Sequence, residues 1–303
     1  MYRALADAVA PSDLRLPFEH SCKAYRELEE IVGEADILLP PPDYTFNPGV
    51  HSKPIQFATQ VAYSERDRLG LGLLEPIENL FRLFDDRGIK IFRRVIEDHD
   101  VYGISAFSPE YGACIFVNAA NTVERQIFSL AHEYGHALMH RSFYKSTAPA
   151  AGLAKDHELE LMANQFGVCF LVPELSLREV YLRDIGDKQI GVEDVVHMKR
   201  LFRVSAKMMI ERLSDLSLVP RKEGSRLFEE IEKHQDPKKE FVPLSDELIK
   251  EWEDNSRFLH LLKRGLLGGM VSLGKFAELM NVSLVEARQA VQSWRKEISF
   301  AQA

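Results

Sequence analysis

Cysteine is scarce in this chain: Cys22, Cys114 and Cys169 are the only three among 303 residues, and no CxxC pair occurs. An odd number without metal-type spacing argues against a disulfide framework and fits a reducing compartment. Long apolar runs are missing as well. None approaches the roughly 18 residues of a membrane span, and the opening MYRALADAVAPSDLRLPF has no basic segment followed by an apolar core. A cytoplasmic chain with no membrane partner is therefore expected. Positive charge is also in deficit, with 38 lysines and arginines against 46 acidic residues and a net charge of −8. That balance excludes sequence-independent gripping of phosphate backbones by the molecule as a whole, and direct DNA binding is not expected. No internal repeat or low-complexity segment interrupts the chain. What is plentiful is core material: 46% hydrophobic residues over this length suffice for two domains or one large domain with appendages.

Punctuation in the chain divides it into three. Residues 20–39 have helical patterning, and LPPPDYTFNPGVHSKP (39–54) then sets five prolines and a glycine close together, the mark of a linker or extended arm. From Ile55 to Leu69 and from Pro76 to Arg87 apolar residues recur at helical spacing, with Gly88 as a stop. IKIFRRVI, VYGISAF and ACIFVNA are β-rich runs, the last two separated by the turn SPEYG, and predict a small sheet of about three strands. The segment HELELMANQFGVCFLVP is a periodic helix halted by Pro173, and short helices follow to Leu218. A charge-rich stretch, 221–243, reads as a hinge. The remainder is helical, with starts at Ser272 and Ser283, the latter with Glu286 at capping-box spacing. The expected fold is α+β and mainly helical: a helical arm and Pro-rich linker (1–54), a central domain with the small sheet (55–220), and a helical C-terminal extension (221–303).

The chemistry concentrates in SLAHEYGHALMH (129–140). On an α-helix residues four apart differ by only about 40° around the axis, so His132 and His136 project the same way and can reach one ion. Glu133 lies about 100° round from His132, poorly placed as a ligand but able to touch a water on that ion. Catalytic zinc takes three protein ligands and leaves one position for water, so a third ligand must come from elsewhere. The helix at 156–172 offers His157, Glu158 and Glu160. Its apolar face runs through Leu159, Ala163, Phe166 and Phe170, and Glu160 lies beside that face next to Asn164, whereas Glu158 suits a solvated first-turn carboxylate. Gly135, a helix-interior glycine costing about 1 kcal/mol relative to alanine, suggests the close approach of another backbone or a substrate. His140 extends the row but more simply meets free carbonyls at the helix end. Cys114, in the strand before the motif helix, reads as a small core residue rather than an inhibitory thiolate. Two helix pairs have a helix-turn-helix rhythm, which packing alone explains.

ERQIFSLAHEYGHALMH, followed after a loop by ELMANQFGVCFLVPE, resembles the ImmA/IrrE metallopeptidases. YSERDRLGLGLLEPIENLFRLFDDRGIKIF and YGISAFSPEYGACIFVN are also similar to that family's helices and three-stranded sheet, so the likeness spans residues 55–220. It implies a zincin-like metallopeptidase core with bound Zn2+. His132 and His136 match the histidine ligands, Glu133 the catalytic base, and Glu160 the carboxylate ligand three residues before the Ala163–Asn164 pair. It further implies endoproteolysis of a helix-turn-helix repressor, inducing phage, mobile-element, defence or stress genes. No helix-turn-helix is recognisable ahead of the peptidase region, so the DNA-binding partner is expected on a separate chain. The expected mechanism has Glu133 take a proton from water and pass it to the leaving amine, with a strand such as ACIFVNA aligning the substrate by backbone pairing. Tyr111, Tyr134 and His157 are candidates for steadying the oxyanion. The rival expectation is a binding module, such as a toxin–antitoxin component, that grips a partner without cutting it or cuts only on a signal.

Overall fold

The computed structural model describes residues 2–4, 12–35, 40–47, 50–51, 53–97, 101–141, 153–233 and 239–301. In chain order the elements are β1 (Tyr2–Ala4), α1 (Ser12–Ile31), α2 (Pro54–Arg68), α3 (Leu80–Asp85), β2 (Lys90–Arg94), β3 (Gly103–Ser108), β4 (Gly112–Asn118), α4 (Val123–Met139), α5 (Leu153–Leu171), α6 (Glu174–Asp184), α7 (Val192–Phe202), α8 (Ala206–Asp215), α9 (Arg221–Glu232), α10 (Glu247–Asp254), α11 (Arg257–Leu267), α12 (Leu273–Met280) and α13 (Leu284–Ala301). None of the described helices is long and apolar enough to cross a membrane. The fold is α+β and mainly helical, as expected.

The three expected strands are present as β2, β3 and β4 and form the body of a mixed sheet. A short fourth, β1, is added at its margin. The sheet order is β1-β3-β4-β2, with β3–β4 and β1–β3 antiparallel and β2–β4 parallel. Strand β1 escapes a reading of the sequence because three residues are too few for alternation to register. Side chains along β4 alternate between two cores. Ala113, Ile115 and Val117 join the large cluster built around α4 and α5, while Cys114 and Phe116 join Phe18 and Cys22 of α1 on the other face. Helix α1 therefore covers the sheet's second face. It also packs its Tyr25 and Leu28 against Leu261, Leu262 and Phe276 of the C-terminal helices.

Helix α4 is anchored at its start. Thr122 caps it by accepting from the Arg125 amide, and Glu124 lies in its first turn, where the helix dipole favours a negative charge. Lys199 of α7, fully buried, donates to Glu124 and to the carbonyls of Phe241 and Val242, at 2.8–2.9 Å. Removing Lys199 leaves the buried Glu124 without its cation, at a cost of about 3–5 kcal/mol. The charge-rich stretch expected to be a hinge is helical over α9, and its far end, at Glu240, closes on the same lysine. Farther on, Ser283 and Glu286 exchange the two hydrogen bonds of a capping box at the start of α13.

Candidate metal centre

Helices α4 and α5 cross where each has a glycine. A Cβ on Gly135 would come within 2.9 Å of the Phe166 ring, and one on Gly167 within 3.3 Å of the Phe128 ring and 3.6 Å of the His132 amide nitrogen. The neighbour that Gly135 makes room for is thus a side chain of α5 rather than a backbone or a substrate. With the axes this close, Asn164 and Glu160, about one and two turns before Gly167 on the same face, meet the histidines of α4.

One nitrogen from each of His132 and His136 and an oxygen of Glu160 lie within 4.8 Å of one another. The individual separations are shorter: 3.0 Å between the two Nε2 atoms, 3.1 Å from His132 Nε2 to Glu160 Oε2, and 3.3 Å from His136 Nε2 to Glu160 Oε1. Contacts this short need a proton or a cation between the atoms. An ion with ligand bonds of roughly 2.0–2.1 Å in tetrahedral array sets its ligands about 3.3 Å apart, so the donor set fits a small tetrahedral metal ion. Glu158, exposed and absent from the cluster, keeps its bland role.

The ring orientations are held from behind. His132 Nδ1 donates to Asn164 Oδ1 at 2.9 Å, which turns Nε2 toward the cluster. His136 Nδ1 pairs with His140 Nδ1 at 2.8 Å, so His140 orients a neighbouring ring and lies outside the cluster itself. Burial disfavours the imidazolium form of His132 and pushes its pKa below the ordinary histidine value, against the opposing pull of Glu160. For Glu160 burial acts to raise the pKa, but hydrogen bonds with His132 and His136 outweigh it and hold the carboxyl below the usual range. A lowered histidine pKa and a lowered carboxyl pKa both favour the forms that bind metal. Asn164→Ala is expected to lower metal affinity about 10–100-fold without changing stoichiometry, as read by competition with a chelating dye; an unchanged affinity would remove Asn164 from this role.

Glu133 follows His132 on α4 and lies under strand β3. Its Oε2 accepts a short hydrogen bond from Ser105 Oγ, and a Cβ on Gly103 would come within 3.0 Å of its Cγ. His132 and Glu133 are 0% exposed and His136 1%, while the Glu160 side chain keeps 28%. The remaining sequence candidates lie elsewhere. Tyr134 points away from the cluster, donating to Glu65 and accepting from Arg68, and burial beside Glu65 raises its pKa well above the ordinary value. Tyr111 and Cys114 belong to the core on the α1 face. His157, exposed, precedes Glu160 by one turn. His140 stands in the sequence reading as the last of the 132, 136, 140 row, whereas Asn164, Ser105 and Gly103 carry no role there. Only the i, i+4 relation of Asn164 to Glu160 could have pointed to one of them.

Residues 84–214 match the family model Peptidase_M78, described as the IrrE N-terminal-like domain. No curated protein matches the chain. Among solved structures, a Mycobacterium tuberculosis transcriptional regulator is similar at 16% identity and a TM-score of 0.36, over 63% of this chain and 52% of that one. The chain thus matches about half the length of that regulator.

Proposed function

Residues 84–214 belong to the ImmA/IrrE family of peptidases, and from that premise we propose that the chain is a zinc-dependent endopeptidase that cleaves a helix-turn-helix transcriptional repressor. Cutting the repressor would induce the phage, mobile-element, defence or stress genes it silences. The observation that carries the proposal is the convergence of His132, His136 and Glu160, with Glu133 the residue after His132 on the same helix. Kinship supports the choice of substrate class.

His132, His136 and Glu160 would hold the zinc, whose donor preference for imidazole and carboxylate this set satisfies. Zinc held there would supply Lewis acidity, polarising a carbonyl and lowering the pKa of a water to about 7. Glu133 follows His132 on the helix, and its carboxylate, steadied by Ser105, accepts a proton from the attacking water and returns it to the leaving amine. Asn164 and His140 keep the two imidazoles turned toward the cluster throughout.

A second reading, a module that grips its partner and cuts only on a signal, draws support from the burial of His132, Glu133 and His136. The test for cleavage is direct. Zinc-loaded protein incubated with a co-encoded helix-turn-helix repressor is expected to yield a discrete fragment by intact-mass spectrometry, and chelation should suppress it. A repressor that stays whole while its target genes are expressed would leave binding alone as the function.

A further inference from the structure

A substrate strand can align near Glu133 only along a sheet edge, and the order β1-β3-β4-β2 leaves few. Strand β4, a candidate for this task from the sequence, has neighbours on both sides and offers none. The outer edge of β2 is two strands beyond β3, roughly 10 Å from it at about 4.8 Å per strand. Strand β3 is the one that lies on Glu133, through Ser105 and Gly103. Its outer edge is taken by this chain's own residues 2–4, antiparallel, with Tyr2 opposite Ala106, Arg3 opposite Ser105 and Ala4 opposite Ile104. Arg3 is therefore paired in register with the residue whose hydroxyl bonds the carboxylate proposed as the base.

We propose that β1 is an in-cis occupant of the peptide-docking edge, so that an extended substrate segment must displace residues 2–4 before it reaches Glu133. This rests on the peptidase reading of the site. The observation that carries it is the backbone pairing of β1 on the outer edge of β3, the strand that lies on Glu133. The partner class is an extended peptide that pairs antiparallel with Gly103–Ser108 through main-chain hydrogen bonds. Tethered in the same chain, β1 competes at an effective concentration on the order of millimolar, so a free peptide of similar intrinsic affinity is excluded at micromolar levels. A strand of three residues offers few ladder bonds, which makes the arrangement readily reversible.

The test uses the full chain with Arg3→Pro and Ala4→Pro together. Alternate amides along a strand face the partner, so one of two consecutive prolines removes a ladder donor. A fluorescein-labelled octapeptide, MYRALADA, titrated by anisotropy is expected to bind this variant roughly tenfold more tightly than wild type. Hydrogen exchange verifies the fold: amides of Gly103–Ser108 that face β4 stay slow, while those on the outer edge quicken. Equal peptide affinity in the two proteins, with the β4-facing amides protected, overturns the in-cis strand and leaves the peptidase reading intact. Tighter peptide binding by a variant that leaves the repressor uncut upholds the in-cis strand and sinks the peptidase reading instead.

Discussion

Glu133→Gln is expected to lower repressor cleavage about 10²–10⁴-fold, the usual contribution of a positioned general base, while zinc content stays at that of the wild type. The substitution is close to isosteric, and the amide oxygen can still accept from Ser105, so packing beneath β3 should survive. A carboxamide in place of the carboxylate cannot take up a proton from water, and that is the single function removed. Glu133 is also absent from the cluster of His132, His136 and Glu160, which predicts that the metal does not leave. Three measurements on one sample check the expectation: metal by elemental analysis, thermal melting, and single-turnover cleavage. Zinc retained with cleavage within a few-fold of wild type would show that another group activates the water. Zinc lost on the same substitution would mean that Glu133 supports the metal and that the separation of base from ligands is wrong.

The second large effect falls on the metal. Glu160→Ala is expected to weaken zinc binding by more than about 100-fold, whereas Glu158→Ala leaves it within a factor of about two. Loss of a residue that merely orients a ligand costs about 10–100-fold, and loss of a bonding oxygen should exceed that. The contrast between the two carboxylates is a contrast in placement. Glu160 reaches both imidazoles, at 3.1 and 3.3 Å, while Glu158 is exposed and outside the cluster. Competition titration against a chromophoric chelator gives both affinities under the same conditions. If Glu158→Ala proves the damaging substitution, or if neither changes affinity, the third donor lies outside the assigned set.

These two expectations draw on different levels of the molecule. The roles proposed for His132, His136 and Glu133 are legible in twelve consecutive residues, because a helix brings positions four apart onto one face whatever surrounds it. Glu160 was legible for the same local reason, as the carboxylate beside the apolar face of its own helix, although only the crossing of α4 and α5 carries it to the histidines. The strands β2, β3 and β4, the helix starts and the capping box at Ser283 are also local signals, set by side-chain alternation and by hydrogen bonds across a few residues.

Tertiary structure decided what depends on distant parts of the chain meeting. Asn164 behind His132 and Phe166 in the space over Gly135 both follow from a helix crossing set by two glycines 32 positions apart, and sequence periodicity within either helix carries no information about the other. Cys114 faces α1 and not the cluster because strand side chains alternate, and which of the two faces holds α4 is settled by packing alone. Residues 2–4 carry no strand pattern of their own and become a strand through the main-chain groups that β3 presents at its edge. The candidates for the cluster were thus a matter of local helical geometry, whereas their meeting, and the strand that covers the outer edge of β3, are long-range and appear only once the chain has folded.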